Sequence, residues 1–223
     1  MKEPGHPLRL AHRGDWRRAP ENTLAAMLAA IAIPACDGLE FDVQASADGV
    51  PILLHDDTLE RVQGRPERPD QLTAAALDML GVPTLADVLA AVPRRAFLDV
   101  ELKGDPGRAV VEVLAASRGP DLRDAVISSF DGDTLERVAG FVPGWPRWLN
   151  TEDLESTTVA AAVELGCRGI SAEWRSIDAG SAARVRGAGL DLAAWTVRRR
   201  PTFRRLANLG VVAVCVEAAA LDG

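Results

Sequence analysis

Short apolar runs alternate along the chain with longer segments rich in Ala and Leu. The short runs predict strands and the longer segments predict helices. The predicted strands are 8–12, 38–43, 50–55, 96–102, 125–130, 146–150, 168–172, 191–197 and 212–216. The predicted helices are 21–33, 84–92, 107–117, 132–140, 154–166, 178–188 and 201–209. Strands that alternate with helices in this way form a parallel sheet with helices outside it.

Nine predicted strands are one more than a closed barrel of eight requires, and the sequence indicates that the extra strand is 50–55. An Asp-Gly pair at 48–49 lies between two alternating runs and is a signal for a hairpin turn. Residues 50–55 would fold back antiparallel on 40–45 and place His55 roughly opposite Asp42. The hairpin would bring that imidazole to the carboxylates of the second strand.

The number of strand–helix units and the length of 223 residues favour a closed (β/α)8 TIM barrel over an open doubly wound sheet. Neither G-x-G-x-x-G nor G-x-x-x-x-G-K follows a predicted strand, which weakens the nucleotide-binding alternatives. We therefore predict one α/β domain over 1–223, a TIM barrel with a small hairpin insertion at about 44–83, after the second strand.

The composition limits the classes of binding partner and the cellular compartment that we expect for this protein. The net charge of −7 argues against a general nucleic-acid binder. Three widely spaced cysteines in apolar surroundings, Cys36, Cys167 and Cys215, indicate reduced thiols and a cytoplasmic protein. The N-terminal residues lack the apolar core of a signal peptide, and the longest apolar stretch, 24–35, is too short to span a bilayer. We expect no stable membrane anchoring.

Two of the three histidines and two acidic residues lie near the ends of predicted strands. His12 and His55 each end an apolar run and are each followed by a charged residue. Glu40 and Asp42 alternate along one strand, so their side chains point to the same face. A lone histidine in such a place is more often structural than catalytic, but two histidines beside an acidic pair favour acid–base chemistry.

The acidic residues predict a metal site. Glu40 and Asp42 stand between apolar neighbours in a strand, and Glu101 ends the next barrel strand. They could be surface charges at strand ends, but burying a carboxylate costs several kcal/mol unless it is paired or binds a metal. Ligation by oxygen alone favours Mg²⁺ or Ca²⁺ over Zn²⁺. Asp99 lies one layer deeper on the same face and is predicted to be a structural partner.

The motifs that carry this chemistry occur in a distinctive order. They are AHRG at 11–14, PENT at 20–23, LEFDVQASADGVPILLHDDTLER at 39–61 and VELK at 100–103, with fainter echoes in ISSFD at 127–131 and AAWTV at 193–197. Together they resemble the glycerophosphodiester phosphodiesterase family, whose members have phospholipase-C-like phosphodiesterase barrels. The resemblance spans nearly the whole chain.

The resemblance implies a metal-dependent hydrolysis of small glycerophosphodiesters to sn-glycerol 3-phosphate and an alcohol. It implies that His12 and His55 act as general acid and general base, in an order that the sequence leaves open. It also implies that the glycerol 2-hydroxyl attacks first and that water then opens a cyclic phosphate. The residues assigned by the resemblance are the metal ligands Glu40, Asp42 and Glu101 and the substrate-binding residues Arg13, Lys103 and Trp195.

Arg13 and Lys103 suit the charged oxygens of a phosphodiester, although they could equally neutralise the neighbouring acids. Trp195 could form a wall against the glycerol moiety or belong to the core. Glu21 and Asn22 precede the first helix, and an N-cap with a first-turn charge is at least as strong an interpretation as a direct role.

The chain departs from the family pattern after its last two strands, where the Pro that usually follows position 217 is also missing. Arg198 stands where the family usually has Asn, and Glu217 stands where Asp is usual. Arg17 and Arg18 follow the first strand and would share the catalytic rim with the arginines at 198–200. These arginines could draw a more anionic substrate towards the site. The alternative is that they pair with nearby surface acids such as Asp15.

Two other functions remain open at the level of the sequence. A lysophospholipase D-like phosphodiesterase would need an apolar groove or an exposed apolar loop near the rim, and the polar stretch 57–83 argues mildly against it. A non-catalytic barrel that binds a phosphorylated ligand would be expected to lack one of the two histidines or three acids. The sequence leaves the metal, the head group and the oligomeric state open.

Overall fold

Eight parallel strands close into a barrel in this computed structural model, which describes residues 6–105 and 107–223. The first strand pairs with both the second and the last, which closes the sheet. The strands are β1 (Leu8–His12), β2 (Gly38–Ala45), β3 (Pro51–Leu53), β4 (Phe97–Leu102), β5 (Ala125–Ser129), β6 (Arg147–Thr151), β7 (Gly169–Glu173), β8 (Asp191–Val197) and β9 (Ala213–Val216). All except β3 belong to the barrel. The prediction of a (β/α)8 TIM barrel is confirmed.

Helices cover the outside of the barrel between successive strands. They are α1 (Leu24–Ile31), α2 (Glu60–Gln63), α3 (Ala74–Asp78), α4 (Leu85–Ala91), α5 (Gly107–Arg118), α6 (Gly132–Phe141), α7 (Ser156–Glu164), α8 (Ala179–Gly187) and α9 (Arg200–Asn208). The first helix starts later than predicted because Thr23 is its N-cap, with a side chain that accepts a hydrogen bond from the backbone N–H of Ala26. None of the helices among the described residues is long and apolar enough to cross a bilayer.

The hairpin insertion is present, but its return strand is shorter than predicted. β3 pairs antiparallel with β2 in a register that places Val43 opposite Leu53. In consequence Asp42 faces Leu54, whose N–H donates to the Asp42 carbonyl at 3.2 Å, and His55 follows one residue later. The segment that follows contains α2 and α3. It encloses a small apolar cluster that includes Ile52, Leu59 and Leu77.

The main core lies between the outer faces of the strands and the helices. Outward-facing residues such as Phe41 and Val100 pack there with Met27 of α1. Inside the barrel, a smaller apolar cluster fills the end near the strand N-termini; its members include Leu10, Val126, Trp148, Ala193 and Ala213. The other half of the barrel interior is left to polar side chains.

Candidate active site

Parallel pairing brings the predicted site residues to one level of the barrel. In the register of the strands, His12 is beside Glu40, Glu40 is beside Asp99, and Asp42 is beside Glu101. These side chains alternate with outward-facing apolar residues, so they point into the barrel near the C-terminal ends of the strands. This is the end at which TIM barrels carry their active sites.

A cavity of about 160 Å³ opens at this end of the barrel. Its lining residues are His12, Arg13, Glu40, His55, Asp99, Glu101, Lys103, Phe130, Asn150, Ser171, Trp195, Thr196 and Cys215. The structure therefore brings together every residue that the sequence assigned to the site. Asp42 alone does not line the cavity, because its side chain is wholly buried beside it.

Three carboxylates form a compact group of oxygen donors. Glu40, Asp42 and Glu101 each offer an oxygen, and these oxygens lie within 4.8 Å of one another. Burial raises the pKa of Glu40 well above its ordinary value, and the charges of Asp42 and Glu101 raise it further. Within the described part of the chain, both Glu40 carboxylate oxygens are buried and accept no hydrogen bond. An all-oxygen site with orphaned buried acceptors fits a hard divalent cation.

Two cations already offset part of this negative charge. Arg13 Nε lies 2.9 Å from one oxygen of Asp42, and Lys103 Nζ lies 3.3 Å from the other and also contacts Glu101. Burial alone would raise the pKa of Asp42, but these two charges hold it below its ordinary value. The pKa of Asp42 is thus lowered, whereas the pKa of Glu101 is raised, chiefly by burial.

The loop after β1 builds part of the site, which corrects the capping interpretation of Glu21 and Asn22. Asn22 has a left-handed φ of 56° and is buried, and its amide N–H donates to Asp42 at 2.9 Å. Glu21 accepts a hydrogen bond from Arg13 at 2.9 Å. Gly14 lets the loop turn, since a Cβ there would lie 2.6 Å from the backbone of Ala26. The capping role falls to the next residue along the chain.

Each of the two histidines is held at Nδ1 by a carboxylate. His12 Nδ1 lies 2.7 Å from Glu217, and His55 Nδ1 lies 2.6 Å from Asp56. A carboxylate can only accept a hydrogen bond, so these contacts place the proton of each neutral ring on Nδ1. Nε2 of each ring remains for proton transfer. His12 Nε2 is 3.8 Å from Glu40.

A polar floor lies beneath the carboxylates. Ser128 Oγ donates to Asp99 at 2.6 Å, which supports the prediction of a structural role for that acid. Burial raises the pKa of Asp99 to about 7, against the effect of this hydrogen bond and with the help of the Glu101 charge. Asn150 lies in the same layer, and its buried Oδ1 has no hydrogen-bond partner among the described residues. No motif pointed to Asn150 in the sequence.

Trp195 and Phe130 form an aromatic wall on the side of the cavity away from the histidine-bearing strands. The Trp195 indole N–H donates to the carbonyl of Ser171 at 2.9 Å, which fixes the ring. Phe130 meets it edge-on with 5.5 Å between ring centroids and is about half exposed. Lys103 Nζ lies 5.7 Å from the centre of the Phe130 ring. In the sequence, the weaker motif ISSFD at 127–131 contains Phe130 and is the feature that could have identified it.

The arginines of the rim contact acids and carbonyls. Arg17 pairs with Asp15 at 2.7 Å and with Asp222 at 2.8 Å. Arg198 pairs with Glu217 at 2.7 Å. These contacts match the alternative in which the rim arginines pair with neighbouring acids, and they reduce the positive charge available to a substrate.

Comparison with known proteins finds a family whose model matches most of the chain. Residues 12–221 match the model of the glycerophosphoryl diester phosphodiesterase family. A glycerophosphodiester phosphodiesterase of Bacillus subtilis is 26% identical over 248 residues, covering 96% of this chain and 84% of the relative. That of Caldanaerobacter subterraneus is 30% identical over 152 residues, covering 60% of this chain and 62% of the relative.

Solved structures share the fold. A phosphodiesterase of Oleispira antarctica, in complex with the product sn-glycerol-3-phosphate, superposes with a TM-score of 0.83 at 28% identity over 94% of this chain and 92% of that one. A glycerophosphodiester phosphodiesterase of Thermotoga maritima gives a TM-score of 0.81 at 24% identity, over 97% of this chain and 96% of its own, and shows likeness of fold.

Proposed function

The chain belongs to the glycerophosphoryl diester phosphodiesterase family, and on that premise we propose that it cleaves glycerophosphodiesters to sn-glycerol 3-phosphate and an alcohol. It is a phosphoric diester hydrolase. The observation that carries the proposal is a single cavity in which two carboxylate-bound histidines face a buried group of three acids. The sn-glycerol-3-phosphate bound to the Oleispira antarctica relative supports the choice of product.

Glu40, Asp42 and Glu101 would hold a divalent cation, Mg²⁺ or Ca²⁺. Two observations support this choice. Both carboxylate oxygens of Glu40 lack a hydrogen-bond partner among the described residues, and all three groups are carboxylates, which hard cations prefer. When bound, the ion supplies electrostatic stabilisation to the phosphoryl group as negative charge grows on it. Arg13 and Lys103 add positive charge at the same place, and both line the cavity.

The two histidines would move the protons. One ring accepts the proton of the attacking glycerol 2-hydroxyl at Nε2, and the other donates a proton from Nε2 to the oxygen of the departing alcohol. Water then opens the cyclic phosphate with the two roles exchanged. Glu217 and Asp56 stabilise the imidazolium form of His12 and His55 through the hydrogen bonds at Nδ1.

The floor and the wall of the cavity would position the glycerol moiety. Trp195 offers an apolar face to the glycerol carbons. The unpartnered amide oxygen of Asn150 can accept a hydrogen bond from a hydroxyl group. A volume of about 160 Å³ suits a small polar substrate. These features favour a water-soluble glycerophosphodiester.

One observation favours the lysophospholipase D-like alternative. Trp16, in the loop after β1, and Phe130, after β5, are both about half exposed at the catalytic end of the barrel. Exposed aromatic side chains of this kind could contact an acyl chain. A lysophospholipid therefore belongs among the substrates to be tested.

We also propose a single catalytic domain over 1–223 and a cytoplasmic location. The family match over residues 12–221 supports the first. Cys167 and Cys215 are buried and form no disulfide, which is consistent with a reducing compartment.

The test is a hydrolysis assay of the purified protein on glycerophosphocholine, glycerophosphoethanolamine and lysophosphatidylcholine. We expect cleavage of the two glycerophosphodiesters, loss of activity with EDTA, and recovery with Mg²⁺ or Ca²⁺. Glu173→Gln is a matched control for substitutions in the acid group, since Glu173 also ends a barrel strand but pairs with Arg175 outside the cavity. Full activity in EDTA would contradict the metal site, and inactivity on all three substrates with every added cation would contradict the function.

A further inference from the structure

The two departures from the family pattern, Arg198 and Glu217, contact each other. Arg198 Nε donates to Glu217 Oε2 at 2.7 Å, and the other oxygen, Oε1, accepts from His12 Nδ1 at 2.7 Å. The Glu217 carboxylate is 7% exposed, whereas the Arg198 side chain is 70% exposed. A buried carboxylate thus connects a histidine inside the barrel with an arginine at its surface.

The backbone holds the carboxylate in this position. Glu217 directly follows β9, and its N–H donates to the carbonyl of Val197 at the end of β8 at 2.9 Å. The N–H of Ala220 donates to the carbonyl of Arg198 at 3.2 Å. Two hydrogen bonds therefore join the segments that carry the arginine and the glutamate. The ion pair forms between segments that are already in register.

The second histidine has the same arrangement on independent elements. His55 Nδ1 contacts Oδ1 of Asp56, and Arg61 Nε of α2 donates to Oδ2 of Asp56 at 2.6 Å. In both cases one carboxylate contacts an imidazole and an arginine, although Arg61 also donates to the Asp56 oxygen that contacts His55, at 3.0 Å. An arrangement that occurs twice around one cavity is difficult to attribute to surface pairing alone.

We propose that Arg198 is a positioning residue that acts through Glu217 to keep the proton of the His12 ring on Nδ1 and Nε2 directed at the substrate. By holding Oε2, the guanidinium prevents the carboxylate from rotating away from the imidazole. The inference rests on the proposed function for the role of His12.

The arrangement makes an unusual prediction for Glu217→Gln. Arg198 can only donate, so it will select the amide oxygen and turn the amide NH₂ towards His12. An NH₂ group donates to Nδ1 and so favours the wrong tautomer, with the proton on Nε2. Adding Arg198→Ala to Glu217→Gln frees the amide to rotate and present its oxygen to the ring. The double variant should therefore be more active than Glu217→Gln.

The kinetic test compares these variants with the wild type in the complete enzyme. We expect Glu217→Gln to lower kcat by about 10- to 100-fold with little change in KM, the range usual when a group that orients a functional histidine is lost. Arg198→Ala should lower kcat by about 2- to 5-fold, as removal of a partly exposed ion pair would. Arg198→Lys should stay close to the wild type, because only one nitrogen of Arg198 contacts Glu217.

Arg175→Ala is the matched control, since Arg175 is 72% exposed and pairs with Glu173 at the end of the adjacent strand β7. It should leave kcat and KM unchanged. The proposal is overturned if Arg198→Ala behaves like Arg175→Ala, if its effect lies in KM alone, or if the double variant is no more active than Glu217→Gln.

A spectroscopic readout separates this proposal from the proposed function. The imidazole nitrogen shifts of His12, assigned with His12→Ala and measured on metal-free protein at rising pH until they no longer change, report which nitrogen of the neutral ring carries the proton. We expect the proton on Nδ1 in the wild type, on Nε2 in Glu217→Gln, and back on Nδ1 in the double variant. A wild-type proton on Nε2 overturns the proposal, whatever the protein hydrolyses. Inactivity with the expected tautomers would count against the proposed function alone.

Discussion

Glu40 differs from the other two acids of the group in forming no direct ion pair with a lysine or arginine among the described residues. Arg13 and Lys103 both contact Asp42, and Lys103 also contacts Glu101. In the described part of the chain, the side-chain nitrogen that lies within 4.0 Å of Glu40 is His12 Nε2, at 3.8 Å, and the charge of Arg13 acts from farther away. Burial and the neighbouring carboxylates raise the pKa of Glu40, and a bound cation would offset this unfavourable electrostatic environment.

We predict that Glu40→Gln stabilises the metal-free protein while abolishing its response to metal. Gln has the same shape and removes one of the repelling charges, so in EDTA the Tm should rise by about 2–4 °C, the shift that roughly 1 kcal/mol produces in a domain of this size. In the wild type, millimolar Mg²⁺ or Ca²⁺ should raise the Tm, and in the variant it should not. Thermal unfolding with and without EDTA measures both effects. A lower Tm for Glu40→Gln in EDTA, with Glu173→Gln unchanged, would contradict the repulsion argument.

The roles of the two histidines can be assigned through the leaving group. We expect His12→Ala and His55→Ala each to lower turnover of glycerophosphocholine by about 100-fold or more, as loss of a general acid or base does. With a p-nitrophenyl ester of glycerol phosphate, the leaving group departs without a proton, so the variant that lacks the general acid of the first step should release p-nitrophenolate in the first turnover at close to the wild-type rate. Single-turnover kinetics on this substrate identify it, because the later opening of the cyclic phosphate still needs both histidines. A variant that keeps most of its turnover on glycerophosphocholine would assign that histidine to structure.

At the scale of elements, the hairpin insertion contributes a clamp to the site. Arg61, on the short helix α2, donates to Glu21 at 2.7 and 2.9 Å and to Asp56 at 2.6 and 3.0 Å. Glu21 belongs to the loop after β1 and Asp56 follows β3. A single guanidinium therefore joins the insertion to the barrel and orients the carboxylate that holds His55.

We predict a pH-dependent contribution of this clamp to stability. Burial would raise the pKa of Glu21, but the hydrogen bond from Arg61 and the charge of Arg13 lower it to about 2, and the hydrogen bond from Arg61 lowers the pKa of Asp56 to about 2. A carboxyl group with a lowered pKa in the folded state stabilises the protein above its unfolded pKa, near 4, and loses that contribution as the pH falls towards 2.

Arg61→Ala should therefore lower the Tm at pH values of about 6, and the difference from the wild type should shrink as the pH falls to about 3. Arg65→Ala serves as the control, because Arg65 lies just beyond α2 and is as exposed but pairs only with Glu67 among the described residues. Thermal unfolding across this pH range makes the comparison. A Tm difference for Arg61→Ala that stays constant with pH would contradict the prediction that Arg61 stabilises the protein through the ionised carboxylates of Glu21 and Asp56.

At the scale of the whole molecule, the charge distribution argues against strong steering of anionic substrates. The net charge is −7, and the rim arginines Arg17 and Arg198 are each paired with buried or partly exposed acids. Arg200 donates to the carbonyl of Ala219. The ion pairs therefore leave little net positive charge at Arg17 and Arg198 to act over a distance, whereas Arg200 keeps its charge.

We accordingly predict similar kcat/KM values for glycerophosphocholine and for the more anionic glycerophosphoglycerol. Raising the ionic strength from about 0.05 to 0.3 M shortens the Debye length and would weaken any steering. The ratio of the two values should therefore change by less than about twofold. Steady-state kinetics across the salt series provide the test. An anionic preference that shrinks steeply with salt would restore the steering hypothesis and show that paired arginines still contribute to it.

The alternation of apolar runs was sufficient to predict the barrel, because strand length and helix length are local properties of the chain. Every predicted strand agrees with the structure to within two residues at each end. Strand parity placed Glu40 and Asp42 on one face, and the order of the motifs identified the family. The position of the extra strand also followed from one local signal, the Asp-Gly turn, although the length of that strand and the residue opposite Asp42 did not.

Only the tertiary structure decided which side chains meet. His12 and Glu217 are 205 positions apart and come together because β1 pairs with β9 when the barrel closes. Asn22 donates to Asp42 because its backbone is left-handed. The local sequence is typical of a helix N-cap and did not predict this conformation. Asn150 joins the floor because β6 faces the site across the barrel interior. Periodicity reports the direction of a side chain from its own element, whereas the partner it meets depends on closure and register, which no single segment encodes.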